Sequence, residues 1–207
     1  MESTEEHILV EAEKLFMKFG MRSVTMDDIA KHLGMSKKTI YAHFRDKNDL
    51  VKSLITKMLK NDECNMQECM NHSSNAIEEV FLMMNFLKEM LSNINPIVFY
   101  DLEKYHNEAY KMMMEFHQNR VYHSVKINLE RGIAENIFRP EINTEILAHA
   151  RVGQINWIFE SELIKSGKFS MYDVMYELTM QFLHGICTLG GHVLINNYTN
   201  QNNQTIK

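Results

Sequence analysis

Thr25-Met-Asp-Asp-Ile-Ala-Lys-His-Leu-Gly-Met-Ser-Lys-Lys-Thr-Ile-Tyr-Ala-His-Phe44 decides the fold of this chain, because it carries the punctuation of two short helices. Thr25 followed by Asp28, and Ser36 followed by Thr39, each put an N-cap oxygen ahead of a polar third helical residue. Val24 with Ile29 and Met35 with Ile40 stand at the staple positions that fix how the chain enters each helix. Caps this close leave about two turns per helix and almost no loop. Gly34 falls where the first helix must stop, and glycine accepts the left-handed backbone of such an end. The turn is therefore Gly34-Met35-Ser36.

In the second short helix, Ile40 and Phe44 are four apart and share a face. With that pair docked inward, Lys37, Lys38, Thr39, Tyr41, Ala42 and His43 cover the outside. An exposed helix whose first turn carries Lys37, Lys38 and Thr39 meets the demand made of a recognition helix, which reads base edges in the major groove with its N-terminal residues. The helix before it packs Ile29, Ala30 and Leu33 on one side. Its N-terminus at Thr25 offers backbone N–H groups and a hydroxyl to a phosphate, and small Ala30 lets the two helices cross closely.

These residues resemble the TetR-type bacterial transcriptional regulators, whose N-terminal segment looks like Thr-x-x-x-Ile-Ala-x-x-x-Gly-x-Ser-Lys/Arg-x-Thr-Ile/Leu-Tyr-x-His/Tyr-Phe-x-x-Lys-x-x-Leu. The chain matches at Thr25, Ile29, Ala30, Gly34, Ser36, Lys37, Thr39, Ile40, Tyr41, His43, Phe44, Lys47 and Leu50. The resemblance covers roughly residues 7 to 54, and beyond it only length and helical character agree. It implies an all-α fold with an N-terminal three-helix helix-turn-helix domain over residues 1–48, followed by a larger helical effector-binding and dimerisation domain over 49–195. By the same resemblance Thr25, Ser36, Lys37, Lys38, Thr39, Tyr41, His43 and Lys47 face DNA. Tyr41, His43 and Lys47 would contact phosphates, Thr25 would anchor the first helix of the pair, and Lys37, Lys38 and Thr39 would lie nearest the bases. Lys38 departs from the small residue that relatives often carry, so no operator sequence is carried over.

The chain is acidic, with 22 Lys+Arg against 27 Asp+Glu. Residues 31–60 nevertheless hold Lys31, Lys37, Lys38, Arg45, Lys47, Lys52, Lys57 and Lys60 against Asp46 and Asp49, a local +6. Localised positive charge on an acidic protein suits specific docking with modest nonspecific affinity, whereas a generic nucleic-acid coat would be basic throughout. A content of 45% hydrophobic residues and two prolines in 207 predicts a substantial, almost wholly helical core. The start Met-Glu-Ser-Thr-Glu-Glu is opposite in charge to a secretory leader, and no apolar run approaches a membrane span. A cytoplasmic location is expected. Cys64, Cys69 and Cys187, an odd set in a chain too large to need disulfides, agree with a reducing compartment.

Outside the opening stretch, Ile8, Leu9, Ala12, Leu15, Phe16 and Phe19 form a stripe at helical spacing that ends at Gly20. Asp46 starts a further helix through Leu50, Leu54, Ile55, Met58 and Leu59, which leaves the small domain for the large one. Residues 61–75 read as a loop or frayed end, and 76–92, 95–106, 107–132, 143–166 and 170–195 as five more helices, with breaks at Asn95-Pro96, Gly132, Arg139-Pro140 and Ser166-Gly167. Residues 196–207, rich in Asn and Gln, read as a polar, disordered tail.

The last two long helices carry apolar residues on more than one side, and the resemblance implies that they pair with a second copy as a four-helix bundle. The candidate homodimer interface is Ile146, Ala150, Ile158, Leu178, Phe182, Ile186 and Leu189. Methionines and aromatics crowd the middle helices, a lining that suits a small hydrophobic or aromatic effector. The candidate pocket residues are Met83, Phe86, Phe99, Tyr105, Met113, Phe116 and Trp157, with His106, His117, His123, Asn156 and Glu160 as polar groups able to orient a ligand.

No catalytic residue, cofactor or metal is expected: there is no phosphate-cradling glycine loop, no His-Glu-x-x-His and no Gly-x-Ser-x-Gly elbow. Glu103 and His106 form one Glu-x-x-His step where di-iron bundles need two. Cys64 and Cys69, with His72 nearby, are spaced to lie on different faces of a helix. The expectation is a non-enzymatic dimeric regulator of double-stranded operator DNA, a repressor released by an effector. A constitutive regulator or activator whose large domain only dimerises, and a helical metalloprotein, are the competing readings.

Overall fold

A computed structural model describes residues 3–165 and 167–204 of the chain. Helix α1 (Thr4–Phe19) starts where the Ser3 hydroxyl accepts the Glu6 N–H at 3.1 Å and stops at Gly20, whose φ is +86°. A Cβ at Gly20 would lie 2.7 Å from Ile97 Cγ2, so the end of α1 touches the larger part of the molecule too closely for any side chain. Helices α2 (Met26–His32) and α3 (Lys37–His43) follow with the caps expected of them. Between them Gly34 takes φ +64°, its N–H bonds to the Lys31 carbonyl at 3.2 Å, and the Met35 N–H bonds to the Ala30 carbonyl at 2.9 Å. This double closure satisfies the last carbonyls of α2 and turns the chain sharply into α3.

Asp46 caps α4 (Lys47–His72), accepting the Asp49 N–H at 2.9 Å. The remainder is α5 (Ala76–Asn93), α6 (Ile97–Tyr105), α7 (Asn107–Phe116), a π-helical turn (His117–Val121), α8 (Tyr122–Ala134), α9 (Thr144–Glu160), α10 (Glu162–Lys165), α11 (Met171–Ile186) and α12 (Leu189–Gln204). Helix α4 packs on α5 and α7, α8 on α9, and α11 on α5 and α9. The all-α expectation holds, and no helix among the described residues is long and apolar enough to cross a membrane.

One hydrophobic cluster runs from the small N-terminal domain (Ile8, Phe16, Ile29, Ile40, Phe44) along α4 (Leu50, Leu54, Ile55) to Met84, Leu91, Val98 and Leu102. A second gathers Ile77, Phe81, Leu129, Phe138, Leu183 and Ile195.

Several boundaries differ from the sequence reading. Residues 61–72 are helix, because Met58, Asp62, Asn65, Met66 and Cys69 recur at helical spacing and supply one inward stripe within an otherwise polar stretch. Gly132 is inside α8, and the break in that segment is the π turn instead. Ser161 interrupts the 143–166 helix and Cys187 the 170–195 helix, each in extended backbone. The segment expected to be a disordered tail continues as α12 through Gln204. Ile195 is buried there, Tyr198 lies on the Phe81 ring at 5.5 Å, and the Tyr198 hydroxyl accepts from Asn75 at 3.0 Å. Residues 205–207 of that tail lie outside the described residues.

Replacing Gly34 should act through backbone strain alone, since a Cβ there meets nothing within 4 Å. Gly34→Ala is expected to cost about 1 kcal/mol and to lower Tm by roughly 2–4 °C. Gly34→Asn, whose side chain tolerates the left-handed region, should cost less. Equal melting of all three proteins would show that the turn is not what holds α2 against α3.

Candidate nucleic-acid interface and effector cavity

Helix α3 is split along its length. Ile40 is 0% exposed and Phe44 1%, whereas Tyr41 is 49% exposed and Lys37, Lys38 and His43 also face solvent. Ser36 spends its hydroxyl oxygen as the cap, accepting the Thr39 N–H at 3.1 Å. Thr39 is half-buried, its Oγ1 2.9 Å from Ser36 Oγ. Thr25 is exposed and closes a capping box: its Oγ1 accepts the Asp28 N–H at 3.1 Å and Asp28 Oδ2 accepts the Thr25 N–H at 2.9 Å. Hydrogen bonds from Thr25 hold the Asp28 carboxyl below the usual range. Lys37 is paired with Asp27 in the first turn of α2, while Lys38 has no ion pair among the described residues.

Lys47 differs from the other cations. It is half-buried, its Nζ donates to the Arg22 carbonyl at 3.3 Å and lies 5.8 Å from the Phe16 ring centre, and burial lowers the pKa of its ammonium. Of the eight residues assigned to DNA, it is the one engaged with the protein's own interior.

The seam between the small domain and the body is polar and specific. The buried Asp101 carboxylate accepts the Arg22 N–H at 2.7 Å, and the Asn95 N–H bonds to the Met17 carbonyl at 3.0 Å. His106 Nδ1 lies 2.6 Å from Asn48 Oδ1, and Lys52 pairs with Glu108 at 3.2 Å. Burial, with the Lys47 charge beside it, lowers the His106 pKa. His106 is thus a joint between α4 and α6, while Glu103 of the same Glu-x-x-His step is exposed.

Capped α2, the glycine turn and the outward cations of α3 form a helix-turn-helix, and residues 8–54 match the family described as "Bacterial regulatory proteins, tetR family". The helix-turn-helix of this chain, residues 8–54, is of the tetR family. It is 26% identical over 185 residues to the uncharacterized HTH-type transcriptional regulator YvaF of Bacillus subtilis (strain 168), covering 88% of this chain and 95% of that one. The reduced form of E. coli NemR superposes with a TM-score of 0.72 at 13% identity, over 89% of this chain and 97% of NemR. A putative transcriptional regulator from Saccharomonospora viridis, solved in complex with choline, superposes at 0.70 with 18% identity, over 89% and 97%. The two structures establish the shared fold. With its tetR-type helix-turn-helix, the chain is a DNA-binding transcriptional regulator.

Behind the tetR-family reader, a cavity of about 210 Å³ opens among α4, α5, the π turn, α8, α9 and α11. Met83, Phe86 and Phe116 of the expected pocket line it, together with Met84, Met175 and Phe182. Four expected residues are elsewhere. Phe99 packs on Phe159 at 4.5 Å behind the wall, and Met113 is in the main core. Tyr105 lies at the seam under the Arg22 guanidinium at 5.2 Å, and Trp157 is 47% exposed on the outer face of α9. Of the polar candidates, His117 lines the cavity, bonded to Asn156 at 2.7 Å and lowered in pKa by burial. His123 is exposed, and Glu160 meets the Tyr110 hydroxyl at 3.2 Å.

The sequence reading missed Asp62, Glu79, Asn128, Arg151 and Thr179, all on the cavity wall. Arg151 could have been found: it recurs with Ala148, Val152, Ile155 and Ile158 on an otherwise apolar face.

The expected dimer residues divide. Ile146 (64% exposed), Ala150 and Leu189 (87%) face outward, and Leu178 is half-buried. Ile158 and Ile186 are corrected to core residues, at 0% and 3%, because each falls on its helix's inward stripe. Phe182 belongs to the cavity wall.

Burial, with the Glu13 carboxylate facing it from α1, pushes the Asp62 carboxyl up to about 6 from its ordinary 3.8. The folded chain therefore keeps a proton that the unfolded chain loses, and this contribution to stability is full below pH 3.8 and lost as the pH rises through 6. Asp62→Asn should raise Tm at pH 8 and give almost no gain at pH 4. A gain of the same size at both pH values would rule out the buried carboxylate as its cause.

Proposed function

We propose that the protein is a dimeric repressor that reads operator DNA with α3 and releases it when a small apolar molecule enters the cavity. The observation that carries the DNA half of this reading is the division of α3, with Ile40 and Phe44 buried and Lys37, Lys38, Tyr41 and His43 outside, on a chain of net charge −5. Lys37, Lys38 and Thr39 at the helix start are assigned to base edges, and Thr25, Tyr41, His43 and Lys47 to phosphates. For Lys47 this means exchanging the Arg22 carbonyl for a phosphate oxygen, a modest rearrangement of one flexible side chain. Acting on DNA, the protein works in the cytoplasm.

One reader is too small for operator specificity, and two on a twofold axis address half-sites about 34–36 Å apart. The outer face of α9 supports such pairing: Ile146, Ala150, Gly153 and Trp157 are all exposed along one stripe, and a Cβ at Gly153 would meet nothing within 4 Å. Effector control is supported by the position of α4. Asp62, Met66 and Cys69 of this helix line the cavity, while its first turns hold the reader. A ligand that binds better when α4 is displaced shifts the population away from the DNA-competent spacing. The choline complex of the Saccharomonospora viridis regulator is an example of the same fold with a small molecule bound.

Binding to a fragment selected from the source genome, compared with random duplex across a salt series, tests the contact roles. Lys47→Ala should weaken both about equally and flatten the salt dependence by about one counterion. Lys38→Ala and Thr39→Ala should instead change which fragment is preferred. Equal losses on specific and random DNA in all three variants would overturn the assignment.

The dimer is tested by sedimentation. Trp157→Glu places a charge in the apolar stripe and is expected to give monomers at micromolar concentration, with at least tenfold weaker operator binding. A Trp157→Glu protein that stays dimeric would move the interface off α9.

A further inference from the structure

The cavity contains a buried cation with no counter-charge among the described residues. Arg151 of α9 is 7% exposed, and its partners are neutral: the Thr179 hydroxyl, Gln154 Oε1 at 3.3 Å, Met175 Sδ at 3.9 Å and the Phe182 ring at 5.5 Å. Thr179 directs its own proton to the Met175 carbonyl at 2.6 Å, which leaves its oxygen free to accept from Arg151. No carboxylate lies within ion-pair distance of Arg151 among the described residues. The contrast within the molecule is Arg131, also largely enclosed, which is answered by Glu79 at 3.1 Å and Glu135 at 2.7 Å. A guanidinium has five donors in a fixed fork that matches a carboxylate, and Arg151 gives only two of them to good oxygen acceptors.

Burying such a charge without a partner destabilises a fold by several kcal/mol, and the alternatives along α9 at this face are apolar. The other acids on the wall do not discharge Arg151. Glu79 is committed to Arg131, and Asp62, across the cavity on α4, forms no ion pair with Arg151. Burial lowers the guanidinium only to about 10, so it remains cationic at neutral pH. Around it, Met83, Met84, Phe86 and Phe116 make a soft apolar wall. The volume of about 210 Å³ is below the roughly 300–1,000 Å³ of sites for drug-sized ligands.

We propose that the cavity takes a small apolar molecule bearing a carboxylate, with the carboxylate received by the Arg151 fork beside Thr179 and the apolar body laid among the methionines and phenylalanines. This inference rests on the cavity being the effector site and adds the chemical class of what enters it. Arg151 supplies the charge that selects, and the wall supplies apolar burial.

Calorimetric titration of the full chain with octanoate, 1-octanol, octylammonium and choline separates charge from shape. Octanoate is expected to bind at least tenfold tighter than 1-octanol, with octylammonium and choline weaker still. Arg151→Met should abolish the preference, binding octanoate no better than 1-octanol, while its Tm stays equal or rises because an unpaired buried charge is gone. Arg151→Lys, which keeps the cation without the fork, should retain part of the preference and serves if Arg151→Met does not fold. A wild-type protein that binds 1-octanol or either cation as tightly as octanoate, that binds none of the four, or whose preference survives in Arg151→Met overturns the proposal. Operator release is measured separately. A neutral or cationic probe that binds and frees DNA would leave effector control standing while removing the anion.

Discussion

Helix α4 is the element on which the rest depends, because its apolar side chains are shared by two bodies. Leu50, Val51, Leu54 and Ile55 are buried against α1–α3 and also continue into the cluster of Met84, Leu91 and Val98. The reader therefore has no independent core boundary at which it could swing freely. The close approach of Gly20 to Ile97 and the Asp101 carboxylate on the Arg22 N–H reinforce the same joint from the other side. Orientation of α3 is thus set by the far part of the molecule through packed side chains, the kind of rigid element through which coupling between sites is carried.

The reader was legible because its signals are local. Thr25, Ser36 and Asp46 each cap the helix that follows, and Gly34 adopts the left-handed turn its position demands. Such choices are settled within four residues, so no knowledge of distant contacts is needed. Lys47 shows the limit: the family resemblance assigns it to a phosphate, but only the tertiary structure reveals that it bonds to the Arg22 carbonyl.

In the body the decisive interactions are long-range. Residues 61–72 look like a loop in composition and are helical because Met66 and Cys69 find partners on α5, and the Asn-rich end is helical because Ile195 and Tyr198 dock near Phe81. On α9, apolar residues on both sides hid the division of labour, since Trp157 and Ile158 are adjacent in sequence yet 47% and 0% exposed. Looking for soft and aromatic residues found Met83, Phe86 and Phe116 of the lining and overlooked Arg151, the charged residue whose company of Ala148, Val152 and Ile155 was the stronger signal.

The π turn at His117–Val121 carries a consequence for chain length. Helix α7 presents Ala109 and Met113 inward and α8 presents Asn128, Leu129 and Gly132. The wider turn between them rephases one stripe to the other and places His117 at the cavity. Since an α-helix rotates about 100° per residue, shortening this stretch by a single amino acid would swing the whole inward stripe of α8 away from α9. The spacing of this segment is therefore fixed by the two stripes it joins, which makes it a ruler between the two halves of the body.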